Sequence, residues 1–158
     1  MEKGYIEIIK RYAKDILESE NMKKEKTLIQ HGTTSVFEHS LNVTIECIKI
    51  VEYFKISVDI KSLIRGSLLH DYFLYDWHEK DKSHKWHGFR HAKIALKNAT
   101  RDFELTEIEK NMIKRHMFPL NIIPPKYKEG IILCISDKIV ATKETLEPFT
   151  HKKVDCQN

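Results

Sequence analysis

The residues of this chain that could do chemistry are histidines and aspartates set among apolar neighbours. In LLHDYFLYDWH, residues 68–78, two histidines and two aspartates lie among seven apolar or aromatic residues. Others repeat the pattern: His39 has Val43 four residues on, His91 precedes Ile94 and Ala95, His116 follows Ile113, and Asp137 interrupts the run ILCISDKIV. An ionised carboxylate enclosed alone is unfavourable by several kcal/mol, so an interior Asp71 or Asp137 requires a cation or hydrogen-bond donors. A metal ion would answer the demand of His39, His70, Asp71, His91, His116 and Asp137 at once, and the set holds more ligands than one ion needs. Imidazole nitrogen and carboxylate oxygen without sulfur suit Fe, Mn, Co, Ni or Mg better than a structural zinc site. Taken singly, each has a plainer explanation, since a histidine near an apolar face usually makes one hydrogen bond and an aspartate in a helix usually pairs locally. The joint reading is favoured by the His-Asp doublet within the order His, His-Asp, His, His, Asp across separate helices.

Those side chains need helices to carry them. Tyr5, Ile8, Ile9, Tyr12, Ile16 and Leu17 recur at helical spacing and predict a helix over about 2–20. The stretch NMKKEKTLIQHGTT is polar and irregular. Ser35-Val-Phe-Glu38 is a capping box that opens a second helix to about Phe54, and Asp59 caps a third that ends in His70 and Asp71. A fourth helix is expected over about 89–99. Thr106-Glu-Ile-Glu109, a second capping box, starts a fifth that reaches His116 and stops before Pro119. The last helix, about 127–146, is expected to bury Ile131, Ile132, Ile135, Ile139 and Val140. From Pro148 the tail lacks periodicity and is expected to fray.

Composition narrows the class. The chain has 158 residues, 41% apolar and 32% charged, with 5 glycines and 4 prolines, which predicts one soluble all-α domain over 1–158 with its core at about 35–146. Its net charge of +4 is spread over lysines interleaved with acids, a solvated surface without a nucleic-acid stripe. Cys47, Cys134 and Cys156 stand apart without CxxC, which suggests neither a disulfide framework nor a thiolate site and fits a cytoplasmic location. No signal-peptide core and no membrane-spanning run is evident.

On the segments FEHSLNV, SLLHD, HAKIAL, IKRHMFP and ISDKI, the sequence resembles the HD-domain superfamily of metal-dependent phosphohydrolases over roughly residues 35–145. The resemblance implies an HD-type bundle of about six helices around a central metal site. It implies that His39, His70, Asp71 and Asp137 hold one divalent ion, and that Asp71 bridges to a second held by His91 and His116. His87 and His91 stand four apart in HGFRHA and either could align with the fourth ligand; His91 matches better in its neighbours and in its distance from His116. HD-GYP phosphodiesterases carry a glycine and a lysine after the doublet, where this chain has Tyr72-Phe73-Leu74, and no GYP triplet follows His116, which argues against cyclic-di-GMP hydrolysis.

Such a site implies hydrolysis of a small phosphorylated substrate, a nucleotide or similar ester, by a hydroxide made available at neutral pH by two ions, with Asp71 and His70 central to catalysis. His87, Arg90, Lys138 and His78 are candidates for contact with substrate, and Arg115 and Arg65 are further cations near the ligands in sequence. Two competing readings use the same ligands: a di-iron oxygenase, and a nucleotide-binding regulatory module without turnover.

Overall fold

The computed structural model describes the backbone of residues 2–31, 33–75 and 87–154 and the side chains of 3–30, 33–75 and 90–146. Helix α1, Glu2–Leu17, bends at Ala13, whose φ of −138° and ψ of 31° are not helical. It ends because the Ser19 hydroxyl turns the chain: it donates to the Ile16 carbonyl and accepts from the Met22 amide, capping the short α2, Glu20–Lys24. A small antiparallel hairpin follows, β1 Ile29–His31 and β2 Thr34–Ser35, with Ile29 opposite Ser35 and His31 opposite Thr34.

The Ser35–Glu38 capping box starts α3, Val36–Phe54, and Lys55 closes it in the left-handed region at φ 53°. The Asp59 carboxylate accepts from the Ser62 amide and starts α4, Ile60–Leu68. Then come α5, His87–Asp102, α6, Glu107–Arg115, capped by Thr106 with Glu109, and α7, Lys128–Val154.

Among the described residues the fold is an all-α bundle of seven helices with one hairpin, against the expected six helices. The additions are α2 and the hairpin. With 5 residues in α2 and 3 and 2 in the strands, none is long enough to display a period. Two boundaries also differ. Helix α4 stops at Leu68, so His70 and Asp71 lie in the turn after it. The backbone of α7 continues past Pro148 to Val154, since a proline removes one ladder bond and favours a bend without ending the helix on both sides.

Helix α4 is the axis of the bundle, buried from Ser62 through Leu68. One side of it, through Ile64 and Leu68, joins Ile9, Ile16, Ile45, Ile48 and Ala95; the other, through Leu63, meets Val43, Cys47, Met112, Leu133 and Val140. Gly66 permits the closest approach: a Cβ there would lie 2.6 Å from the Met112 sulfur. Because α4 is enclosed on all sides, the residues that follow its C-terminus emerge at the centre of the molecule. The Glu129 carboxylate accepts from the Asp59 amide at 2.9 Å and ties the start of α7 to the start of α4.

The buried side of α7 is the expected one only in part. Ile132, Leu133, Ser136 and Val140 face the core, whereas Ile131 and Ile135 are about half exposed and Ile139 is partly so. The stretch is apolar nearly all round, so its period could not choose the face. No helix of the described residues is long and apolar enough to cross a membrane.

Candidate metal centre

His39 sits in the second turn of α3, where the Ser35 box fixes the helix start, and points inward, fully enclosed. His70 and Asp71 are delivered by the turn after α4. His91 comes from α5, His116 caps α6 and Asp137 comes from α7. These six side chains form two groups, His39 with His70 and Asp137, and Asp71 with His91 and His116; the ligand atoms within each lie within 4.8 Å of one another. Five are buried, and Asp137, its side chain 15% exposed, stands nearest the surface.

Asp71 divides its oxygens between the groups. Its Oδ1 lies 3.2 Å from His91 Nε2 and 3.4 Å from His116 Nε2, while its Oδ2 lies 3.4 Å from His70 Nε2 and 3.9 Å from His39 Nε2. Asp137 Oδ1 lies 3.2 Å from His39 Nε2 and 3.7 Å from His70 Nε2. Few of these approaches are hydrogen bonds. His70 Nε2 and Asp71 Oδ1 are enclosed with no hydrogen-bond partner among the described residues. The Nε2 atoms of His91 and His116 face each other at 2.9 Å, an arrangement that needs a proton or a cation between them. Lone pairs converging on common points while leaving one another unsatisfied are what a divalent ion would occupy, so this set fits bound divalent metal.

The second nitrogens of His39, His70 and His116 are pinned from behind. His39 Nδ1 donates to Glu144 Oε2 at 2.7 Å, and Asn42 donates to the other Glu144 oxygen at 3.1 Å. His70 Nδ1 donates to the Ser67 carbonyl at 2.7 Å and His116 Nδ1 to the Ile113 carbonyl at 2.8 Å. Such bonds turn Nε2 toward the centre in all three rings, as metal-ligating histidines require.

Electrostatics follow from this crowding. Burial opposes a charge on His39, but hydrogen bonds to Asp137 and Glu144 outweigh it and raise the imidazole to about 9. His70 is also raised, the nearby Asp71 charge and Asp137 overcoming burial. Burial opposes ionisation of Asp71 and Asp137 too, yet the neighbouring histidines hold both below the carboxylate range. His116 is lowered, chiefly by burial. Protons on His39 and His70 thus supply the positive charge that the carboxylates demand when no ion does.

The other candidate residues are placed as follows. Arg90 is exposed, close enough to Tyr75 for its charge to oppose the rise that burial imposes on that phenol. Lys138 is exposed and donates to the Cys134 carbonyl at 3.2 Å. His78 and the side chain of His87 lie outside the described residues. Arg65 is taken up elsewhere: its guanidinium holds Asp15 at 2.7 and 2.9 Å and Glu109 at 3.3 Å, beside a cavity of about 830 Å³ also lined by Arg11 and Lys61.

Three polar residues at the centre went unread in the sequence. Glu144 is seven residues beyond Asp137, two turns along one helix face, and that spacing was its only signal. Gln30 of β1 is buried and donates from Nε2 to Asp71 Oδ2 at 2.6 Å. Glu25 is fully enclosed with both oxygens unpartnered among the described residues; burial, then the Asp71 charge, raises it well above its ordinary value.

The sequence profile of the HD domain family matches residues 36–142, a span that takes in all six of the converging side chains. No curated protein and no solved structure matches the chain.

Proposed function

The chain belongs to the HD domain family, and from that membership we propose that it is a metal-dependent phosphohydrolase acting on a nucleotide or similar small phosphate ester in the cytoplasm. The observation that carries this reading is the split of Asp71, whose two oxygens each face a separate group of imidazole nitrogens. With the two histidine groups, Asp71 would help hold a pair of divalent ions, and a binuclear centre would suit phosphoryl chemistry. When bound, two divalent ions supply Lewis acidity toward phosphate oxygens and water of lowered pKa.

The chain's own contributions are separate and can be named. Asp71 and Asp137 would provide the negative charge to hold the cations, and Glu144, Ser67 and Ile113 orient His39, His70 and His116. Enclosure of five of the six groups keeps bulk water from weakening these interactions. No serine or cysteine nucleophile is required. Arg90, one residue before His91, and Lys138, one after Asp137, are exposed cations to which we assign the rest of the ester's negative charge, with His78 and His87 as further contacts to substrate.

The test is elemental analysis of protein purified without chelators, then a phosphomonoesterase and phosphodiesterase screen with Mn, Fe, Co, Ni or Mg. A stoichiometry near two with phosphate release is expected. Oxygen consumption without phosphate release would move the assignment to an oxygenase. Asp71→Ala should lose metal and activity together while circular dichroism stays helical; a variant that keeps its full metal content sinks the bridging role.

A further inference from the structure

Residues 2–35 precede the span that the family profile matches, yet they reach the centre. Gln30 places its amide nitrogen 2.6 Å from Asp71 Oδ2, and an amide oxygen there would face carboxylate lone pairs. The segment from α2 to β2 is fastened on several sides. The Val36 amide donates to the Leu28 carbonyl at 2.8 Å and the Phe37 amide to the Glu25 carbonyl at 3.3 Å, which clips the hairpin to the start of α3, the helix that carries His39. At its other end, Asn21 donates to Asp102 Oδ2 at 2.8 Å, and the same oxygen accepts from the Tyr72 hydroxyl at 3.0 Å. The segment therefore grips Asp71 directly and its neighbour Tyr72 through Asp102.

From this geometry we infer that Gln30 is a positioning residue of the metal centre, locking the plane of Asp71 so that Oδ1 is presented to His91 and His116 while Oδ2 stays with His39, His70 and Asp137. The inference rests on the binuclear reading of the site. A carboxylate free to turn about its Cβ–Cγ bond can offer both oxygens to one ion; a charge-assisted hydrogen bond to Oδ2 opposes that turn. The consequence is unequal. The His39, His70 and Asp137 group keeps its own carboxylate if Asp71 turns, whereas in the other group Asp71 is the anionic ligand.

Gln30→Met keeps the length and apolar volume of the side chain and removes the donor. By isothermal titration with Mn, the second ion is expected to bind 10–100-fold more weakly, the range typical for loss of a residue that orients a ligand, while the first changes less than about threefold. The electron paramagnetic resonance signal of the exchange-coupled Mn pair should fade at two equivalents. Gln30→Glu, similar in shape but opposing Asp71 with an acceptor, should weaken the second ion at least as much.

If either folded variant keeps both affinities within threefold of the wild type and differs only in melting temperature, the role is structural and the inference fails. Should neither variant fold, the wild type still decides. The chain has one other glutamine, Gln157, so glutamine-selective ¹⁵N labelling isolates the Gln30 side-chain amide, which must shift when Mg or Zn is added. An unmoved signal overturns the inference. A wild type that binds one ion removes its premise, whereas one that binds two and hydrolyses nothing removes the phosphohydrolase reading and leaves the role of Gln30 standing.

Discussion

His39 depends on the nitrogen that faces away from the centre. With Nδ1 held 2.7 Å from Glu144, its ring orientation is set by a residue seven positions past Asp137 on the same helix, and Asp137 and Glu144 together raise its basicity. Glu144→Ala is expected to weaken metal binding 10–100-fold, read by competition with a chromophoric chelator, and an unchanged affinity would remove this role. The pH dependence of the metal-free protein follows from the same crowding. A histidine raised to about 9 stabilises the fold fully below its unfolded value of 6.5, and that contribution is lost as pH rises through 9. Glu25, raised above 4.5, acts in the same direction: its neutral form incurs no penalty below 4.5, and stability falls at about 1.4 kcal/mol per pH unit once the unfolded state ionises and the folded state does not. Urea unfolding of the metal-free protein between pH 7 and 9, above the range where the lowered His116 acts the opposite way, should therefore show a falling midpoint. Glu25→Gln should flatten that fall and become the more stable protein toward high pH; parallel curves would show that Glu25 ionises freely. The ligands were legible because histidine and aspartate are conspicuous among apolar neighbours. Gln30, Glu25 and Glu144 were not, because each stands in a polar stretch whose burial arises only when distant elements meet.

At the scale of the element, the sequence is most readable where local chemistry decides. Ser35 with Glu38, Asp59, and Thr106 with Glu109 cap the helices expected of them, since a cap is satisfied by atoms within three residues. Where neighbours in space decide, the reading slips. Ile131 and Ile135 point outward because Ile132, Leu133 and Val140 already fill the groove against α3 and α4, and the turn carrying His70 and Asp71 leaves the helix one step earlier than the apolar pattern implies. The crossing of α4 and α6 is tested by Gly66→Ala. The added methyl would meet Met112 at 2.6 Å in the enclosed core, for an overpacking cost of about 1–3 kcal/mol against a helix-propensity gain of about 1 kcal/mol. A net loss of stability is expected by denaturant titration, and a variant more stable than the wild type would mean that Met112 yields freely.

For the molecule as a whole, the all-α architecture followed from composition and periodicity, while the order in which helices surround α4 did not. The converging side chains come from α3, the end of α4, α5, α6 and α7, so metal bound among them would fasten most of the bundle. At a hundredfold excess over its dissociation constant, a bound ion adds about 2.7 kcal/mol to stability. One of the two described cysteines gives a way to watch that clamp. Cys47, on the helix of His39, is wholly enclosed, with burial driving its thiol up to about 12; Cys134, on the helix of Asp137, is buried and raised as well. Cys47 packs in the cluster that joins α3 to α4, α6 and α7, whereas the Cys134 sulfur lies 3.6 Å from the Arg115 carbonyl at the end of α6. Pulsed iodoacetamide followed by peptide mass spectrometry should find Cys47 modified slowly, and slower still when Mn is present. The Cys47 sulfur thus gives the protein a built-in clock for the parting of its two longest helices.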